Sequence, residues 1–113
     1  MITIRVERKK GQIISLTACG HSGYEDVGKD IVCAAVSMVV QTALLGLIGY
    51  AGIEVDYKRR DEANYLKFTL PNSLTVKQRQ DADAILCTMW LGIKDMHEGF
   101  SDFIELEEIE NVY

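Results

Sequence analysis

The amino-acid sequence predicts an α+β fold, a two-layer sandwich in which two helices cover one face of a largely antiparallel sheet. Segments in which apolar and polar residues alternate come in two consecutive pairs, as expected for β-hairpins. A longer apolar segment of helical period follows each pair, and one short strand closes the order ββαββαβ. Because 113 residues can enclose one hydrophobic core but not two, we expect a single domain over 1–113.

The first hairpin is predicted over residues 2–8 and 12–20, where apolar and polar side chains alternate. The basic run at 8–11 is interpreted as its turn, because charged residues are typical of a solvated hairpin tip; contact with RNA is the less favoured alternative. The second strand is expected to point three side chains toward the core, those of Ile14, Leu16 and Ala18. His21 then lies on the opposite face, at the exposed end of this strand.

The remaining elements are predicted in the order helix, hairpin, helix and strand. The first helix is expected from 30 to 49 or 52, and the second hairpin at 53–58 and 65–70 with a charged turn at 59–62. The second helix is expected at 75–97 and the last strand at 103–106, followed by an acidic tail at 107–113. Ser73 or Thr75 is expected to cap the second helix at its start, and Gly99 at its end.

Composition and charge restrict the class of protein. The net charge of −5 argues against nucleic-acid binding and suits a basic peptide as partner. The three cysteines are irregularly spaced and form no C-x-x-C pair, so we expect no disulfide framework, no metal and no cofactor. The N-terminus reads as a strand and not as a signal peptide, so the expected compartment is the reducing cytoplasm.

The stretch 31–53 is almost uncharged and long enough to span a bilayer. Cys33, Ser37 and Gln41 interrupt it at four-residue spacing, which places a polar stripe along a helix whose flanks carry charges of both signs. We therefore expect no membrane contact but a helix buried on two sides, by the sheet and by a second copy of the chain. Glycines in its second half would let the two copies of a homodimer approach closely.

The residues at the start of the first helix suggest thiol chemistry. Asp30 suits the N-cap position, which would put Cys33 about three residues inside the helix. There, unpaired N–H groups and the positive end of the helix dipole favour the reactive thiolate. A turn through Gly23 and Gly28 would bring His21 over Cys33 to accept its proton. We interpret the two as a catalytic pair; a cysteine that only packs is the alternative.

The other two cysteines and the second histidine are interpreted as structural. Cys19 lies on a strand and lacks the helix N-terminus predicted to activate Cys33. Cys87 falls within the apolar run of the second helix, so we expect it in the core. His97 lies near the C-terminus of the same helix, where a cation interacts favourably with the dipole.

A family resemblance rests on two runs, Gly20-His21-Ser22-Gly23 and Gly28-Lys29-Asp30-Ile31-Val32-Cys33-Ala34-Ala35-Val36-Ser37. Together they resemble the signature of the ribosomal-processing cysteine proteases (Prp), bacterial enzymes that remove an N-terminal extension from the twenty-seventh protein of the large ribosomal subunit. Length and element order extend the resemblance over essentially the whole chain. It implies His21 as the catalytic histidine, Cys33 as the nucleophile, and Asp30 and Ser37 as recurrent polar positions. Ser22 departs from the alanine more usual there.

The resemblance implies a ribosomal protein N-terminal peptide as the substrate of thiol catalysis. We expect Cys33 to attack the peptide carbonyl, His21 to pass the thiol proton to the leaving amine, and water to hydrolyse the thioester. Backbone N–H groups of the first helical turn, including that of Cys33, are candidate donors to the oxyanion. Asp30, Asp26 or Ser37 are candidates to orient His21, and a simple dyad is the alternative.

The loop from Ser22 to Lys29 is predicted to become ordered over a bound peptide. Gly23 and Gly28 bracket it, and Tyr24 could place its ring and hydroxyl against the substrate. A plain connector is the alternative. The alternative function is a non-enzymatic adaptor that binds a ribosome-associated peptide in the same groove, in which case replacing Cys33 and His21 would change nothing.

Overall fold

The computed structural model describes residues 1–20, 27–60 and 64–111, with side chains for all of these except 27–30. Its elements are β1 (Ile2–Lys9), β2 (Gln12–Cys19), α1 (Val27–Leu45), a π-helical turn (Gly46–Tyr50), β3 (Asp56–Arg60), β4 (Tyr65–Thr69), α2 (Val76–Gly99) and β5 (Ile104–Asn111). This order confirms the predicted ββαββαβ arrangement and the α+β class.

The strands form one sheet in the order β3-β4-β2-β1-β5. Three neighbouring pairs are antiparallel, and β5 runs parallel to β1. The parallel pair follows from the connection, because the chain crosses over through α2 before it returns to the sheet beside β1. Because three of these four pairs are antiparallel, the prediction of a largely antiparallel sheet is confirmed.

The core lies between the sheet and the two helices. In β1, Ile2, Ile4 and Val6 are buried, as their alternation predicts. The other fully buried side chains come from both layers and include Leu16, Leu47, Phe68, Leu86 and Ile93. One face of each helix thus packs on the sheet, as expected for a two-layer domain.

A β-bulge corrects the predicted facing of β2. Glu7 pairs with Ser15, but the next residue of β1, Arg8, pairs with Ile13, so Ile14 is the extra residue. A bulge of this kind shifts the alternation of side chains by one position. Ile13 is therefore the buried residue, at 2% exposure, while Ile14 is only partly buried. Leu16 and Ala18 do contact the core as predicted.

Two strand boundaries also differ from the prediction. The third strand covers Asp56–Arg60, so Arg59 and Arg60 belong to a strand and not to a turn. The last strand continues to Asn111, through most of the predicted acidic tail. Its glutamates are accommodated because β1 supplies the opposite charges: Arg5 Nε lies 2.7 Å from Glu107, and Arg8 Nη2 lies 3.1 Å from Glu108. The hydrogen bond from Arg5 to Glu107, and then the charge of Glu107, raise the pKa of Arg5.

The first helix combines a buried and an exposed apolar side. Over Ile31–Tyr50 it is long and apolar enough to span a membrane by length and composition, and 33% of that window is buried. Val32, Val36 and Val40 pack into the core, each at 3% exposure or less. The large apolar side chains that remain exposed along this stretch are Ile31, Met38, Leu45, Ile48 and Tyr50.

The second helix opens with a capping box. The Thr75 hydroxyl accepts a hydrogen bond from the Gln78 backbone N–H, and the Gln78 side chain accepts one from the Thr75 N–H, each at 3.0 Å. Thr75 is therefore the cap, one of the two predicted candidates, and His97 lies in the last turn as expected. The helix continues further than predicted, because Gly99 is its last residue and Phe100 its C-cap.

The expectation that Cys87 lies in the core is wrong, because its side chain is exposed. The buried stripe of α2 runs through Ala82, Leu86, Met89, Trp90 and Ile93. Cys87 follows Leu86 by one residue, which is a rotation of about 100° around the helix axis. This rotation carries it off the stripe.

Replacing Thr75 by alanine is expected to lower the free energy of unfolding by about 1 kcal/mol. The Gln78 N–H loses the hydroxyl that accepts its hydrogen bond, and the reciprocal bond to the Gln78 side chain loses the partner that holds it in place. Urea unfolding at a fixed protein concentration measures the change. Lys94→Ala, an exposed position in the same helix, serves as the control and should shift stability by less than about 0.5 kcal/mol. Equal loss in both variants would contradict a capping role.

Candidate active site

A cleft of about 130 Å³ lies between the first half of α1 and the adjoining ends of β2, β3 and β4. Its apolar floor is formed by Ile2, Ala18, Val36, Val40 and Leu66. Its polar lining is formed by Cys33, Ser37, Gln41, Arg59, Arg60 and Asn64. A narrow cleft with an apolar floor and a few polar groups is typical of a site that binds a chain segment and orients it.

The polar stripe predicted from the sequence lines this cleft. Cys33, Ser37 and Gln41 recur every four residues along α1, so they share one side of the helix. The packing of the neighbouring valine row against the sheet decides which way this stripe faces. Cys33 is a free, half-buried thiol, packed against the core yet bordering the cleft.

The predicted N-cap at Asp30 is wrong, because α1 begins at Val27 and includes both Gly28 and Asp30. Cys33 is then the seventh residue of the helix and not one of its first turn. Only the first four N–H groups of a helix lack an acceptor within it, so the N–H of Cys33 is used inside the helix. The expected donation from it to an oxyanion is therefore also wrong, as is the placement of Gly28 in the loop.

The two other polar residues of the stripe differ in their contacts. Ser37 is exposed, and its hydroxyl has no hydrogen-bond partner among the described residues. Within the described residues, Ser37 thus forms no hydrogen bond to the sulfur or the carbonyl oxygen of Cys33. Gln41 is half-buried, and its Oε1 accepts a hydrogen bond of 3.5 Å from Arg59 Nη1 of β3. This contact joins the helix to the sheet across the cleft.

Cys19 borders the same cleft but belongs to the other face of the sheet. It pairs with Thr3 of β1, and its neighbour along that face, Thr17, pairs with Arg5. Residues two apart along a strand point to the same side, so Cys19 shares the face of Thr17 and its partner Arg5. Because Ala18 faces the core, alternation directs Cys19 away from α1.

The histidine of the predicted pair lies outside the described residues. The same holds for Ser22, Gly23 and Tyr24 of the predicted substrate loop, for Asp26, and for the side chain of Asp30. The pairing of His21 with Cys33 and the closure of the loop therefore stay predictions. The described structure shows where the chain leaves the sheet: β2 ends at Cys19, and the next residue, Gly20, borders the cleft.

Gly20 occupies a position that only glycine fits. Its φ of +91° lies in the left-handed region, and a Cβ built on it would lie 2.5 Å from the carbonyl oxygen of Met1. A side chain there would meet backbone atoms, which cannot rotate away. The close approach of Met1 and Gly20 thus fixes the path of the chain immediately before His21.

Sequence reasoning missed the contribution of β3 to the site. It assigns Arg59 and Arg60 to a solvated turn, yet both border the cleft. The run Lys58-Arg59-Arg60 is charged throughout, so no alternation of apolar and polar residues marks it as a strand. Among the described residues, no group of three or more His, Cys, Asp or Glu side chains could hold a metal ion.

Comparison with known proteins gives consistent matches. Residues 1–105 match the family described as cysteine protease Prp. The ribosomal processing cysteine protease Prp of Bacillus subtilis is 32% identical over 100 residues, which are 88% of each chain. That of Staphylococcus aureus is 24% identical over 107 residues, covering 94% of this chain and 97% of the other.

Solved structures share the fold. A Streptococcus mutans protein superposes with a TM-score of 0.87 at 28% identity, covering 98% of this chain and 96% of that one. An essential ribosomal processing protease Prp from S. aureus, solved in complex with a substrate peptide, superposes with a TM-score of 0.84 at 23% identity, covering 96% and 99%. The likeness thus includes the sheet, both helices and their order.

Replacing Gly20 by alanine is expected to destabilise the protein by at least about 1–2 kcal/mol, because the left-handed backbone and the Met1 carbonyl both oppose a Cβ. Thermal unfolding measures the loss. Gly99→Ala is the matched control, since a Cβ at that position would meet no atom within 4 Å and the backbone there is helical. We expect that control to be neutral or stabilising; a Gly20→Ala protein as stable as the wild type would refute the constraint.

Proposed function

This chain belongs to the Prp family of cysteine proteases, and from that premise we propose that it removes the N-terminal extension of a large-subunit ribosomal protein, the twenty-seventh, in support of ribosome assembly. The observation that carries the proposal is the position of Cys33. It is a free, accessible thiol in a cleft between helix and sheet, within the segment 1–105 that matches the family. A cysteine used only for packing has no need of a cleft.

The proposed reaction proceeds through a thioester. The Cys33 sulfur attacks the scissile carbonyl carbon while His21 accepts the thiol proton, and His21 then gives that proton to the leaving amine as the C–N bond breaks. His21 then takes a proton from water as the water attacks the thioester carbonyl carbon; the C–S bond breaks, His21 returns that proton to the Cys33 thiolate, and the acid product ionises to a carboxylate. Cys33 lies beyond the first helical turn, so its own N–H group is not available to the oxyanion. The Ser37 hydroxyl lies one turn away and has no partner among the described residues. In this proposal it is the supporting hydrogen-bond donor to the oxyanion.

The partner in this proposal is a basic ribosomal protein, and the place is the cytoplasm. A net charge of −5 favours encounter with a basic chain and disfavours direct contact with nucleic acid. We propose that the acidic surface increases the rate of association, while the cleft selects the peptide bond. Salt should then lower the rate of encounter more than the rate of the chemical step.

The Cys33→Ser protein is expected to lose processing of the extended ribosomal protein, because a serine hydroxyl at that site is a far weaker nucleophile than a thiolate. His21→Ala should lose it as well. Incubation with the extended protein, followed by mass spectrometry of the products, measures the outcome. Normal processing by the Cys33→Ser protein would exclude Cys33 as nucleophile.

The other two cysteines supply the controls. Cys19→Ala and Cys87→Ala are expected to retain most of the activity, because one lies on the opposite face of the sheet and the other is exposed on α2. If Cys33→Ser still binds the extended protein and no variant or wild-type sample ever cleaves it, the adaptor function replaces the protease function.

We further propose that the protein is a homodimer. A groove of about 710 Å³ runs between α1 and α2 on the side away from the sheet. Met38, Val39, Ile85 and Met89 line it, and Gly46 lies beside Ile85 within the same lining. Met38 and Tyr50 of this lining are 63% and 76% exposed, and neighbouring exposed apolar side chains of this kind favour a contact with another chain.

Light scattering at micromolar concentration is expected to give about twice the chain mass of 12.7 kDa. Met38→Glu places a charge in the groove from a side chain that is 63% exposed in the single chain, so we expect it to produce monomers without unfolding. Lys94→Glu, on α2 but outside the groove lining, should stay dimeric. A wild-type monomer would refute the dimer.

A further inference from the structure

We propose that a second groove, at the end of the sheet opposite the cleft, docks an acidic peptide segment that carries apolar side chains. This groove has a volume of about 610 Å³ and lies between the β1–β2 turn, the end of β4 and the first turns of α2. It is called the distal groove below. The proposal goes beyond the proposed protease function and does not depend on it.

The distal groove is separate from the cleft that contains Cys33. Ile2 near the start of β1 borders the cleft, whereas Lys9 at the end of the same strand borders the distal groove. Seven steps along a strand correspond to roughly 23 Å at about 3.3 Å per residue. The two share no residue of their described linings. A partner bound in the distal groove therefore leaves the cleft open.

The floor of the distal groove is aliphatic. Its apolar lining consists of Ile14, Leu70, Pro71, Leu74 and Val76. Val76 is 77% exposed, and Ile14 is the extra residue of the β-bulge and only partly buried. Exposed apolar atoms in a concave surface favour contact with an apolar side chain of a partner. The described lining contains no aromatic ring on which the bases of RNA could stack, which favours a peptide over RNA.

The unpaired charge in the lining is positive. Arg79 Nη2 lies 2.6 Å from Asp83 Oδ1, and Asp83 Oδ2 accepts a hydrogen bond of 2.9 Å from Gln12 Nε2. These contacts occupy the carboxylate of the described lining and offset its charge. Lys9 and Lys10 are exposed and have no partner in the part of the chain that the structure describes. Two free ammonium groups therefore lie beside the aliphatic floor.

Lys10 occupies a backbone position that suits other residues better. Lys10 and Gly11 form the two-residue turn between β1 and β2, with φ values of +53° and +79°. Asn, Asp and Gly are preferred where such a turn requires a positive φ, because a longer side chain is strained there. The lysine is less favourable for the turn, but it supplies a cation at the groove. Recognition of a carboxylate accounts for this choice.

These features define the chemistry of the partner. An apolar side chain of the segment covers the floor, and carboxylates a few residues away pair with Lys9 and Lys10. The same lysines repel a basic segment, so the partner differs in charge from the basic chain proposed as the substrate. The net charge of −5 also disfavours RNA as the occupant.

Selection from a peptide library tests the proposal. Random peptides of about twelve residues, displayed on phage, are first depleted on a Cys33→Ala protein that also carries Lys9→Glu, Lys10→Glu and Val76→Glu, and are then selected on Cys33→Ala alone. The recovered peptides should combine Asp or Glu with Leu, Ile, Val or Phe. Synthetic copies should bind Cys33→Ala at least about 10-fold more tightly than the depleting variant. Recovery of basic peptides, or of none that distinguishes the two proteins, would overturn the proposal.

Lys10→Asn separates recognition from folding. Because Asn suits the turn better, this variant should melt at a higher temperature than the wild type and yet bind the recovered peptides about 2- to 5-fold more weakly. Lys94→Asn removes the same charge from an exposed position of α2 outside the distal groove, so it should keep the wild-type affinity. Unchanged affinity in Lys10→Asn, or an equal loss in Lys94→Asn, would contradict the role of the lysine.

A titration with RNA tests the other class of occupant. A labelled single-stranded RNA of mixed sequence and about twelve nucleotides, followed by fluorescence anisotropy, should bind at least about 10-fold more weakly than the recovered peptides at the same salt concentration. Tighter binding of the RNA that Lys9→Glu/Lys10→Glu weakens would overturn the proposal and assign the groove to RNA. These measurements record binding alone, so their outcome does not depend on whether the chain cleaves a substrate.

Discussion

The packing of one row of valines determines how the functional surface is arranged. Val32, Val36 and Val40 recur every fourth residue of α1 and are almost completely buried against the sheet. The row that follows each of them by one residue is turned about 100° around the helix. It consists of Cys33, Ser37 and Gln41, so burying the first row places the second along the edge of the helix, where the cleft opens. Each buried valine contributes roughly 1.5–3 kcal/mol, so the row as a whole outweighs a single polar contact in the cleft.

The sheet supplies the opposite wall of the cleft, and its two edges are stabilised differently. β5 is an acidic edge strand that pairs with β1 in parallel, and the arginines of β1 offset its charge. Exposed ion pairs of this kind contribute little net stability, but they favour this strand over a different neighbour or register. β3 is exposed at all of its positions, so its residues can serve contact with a partner instead of the core.

Much of the fold could be predicted from the sequence because burial follows simple periods. Alternation in β1 has the expected facing, and Thr75 caps the second helix as local chemistry predicts. The errors occur where tertiary pairing overrides the local pattern. The bulge at Ile14 depends on the register with β1, and the extension of β5 depends on arginines about a hundred residues away in sequence.

Part of the candidate site was also predictable, because it follows the period of a helix. Cys33 and its four-residue stripe follow from the period of a helix, and the structure places all three residues in one cleft. The predicted start of α1 at Asp30 is wrong. The prediction relied on the N-cap preference of Asp30, but such a preference contributes only about 1 kcal/mol, and the helix extends back to Val27. Arg59 could not be assigned to the cleft from sequence, because a charged strand at a sheet edge has the same composition as a turn.

The close contact between Met1 and Gly20 has a practical consequence for work with this protein. Ile2 forms part of the floor of the cleft, so any residues joined ahead of Met1 would emerge at its rim, within reach of Cys33. An affinity tag attached there would be held close to the cleft at a high effective concentration. Asn111 pairs with Lys9, at the other end of β1 and roughly 23 Å along the strand from Ile2. A fusion at the C-terminal end therefore leaves the cleft open to substrates in solution.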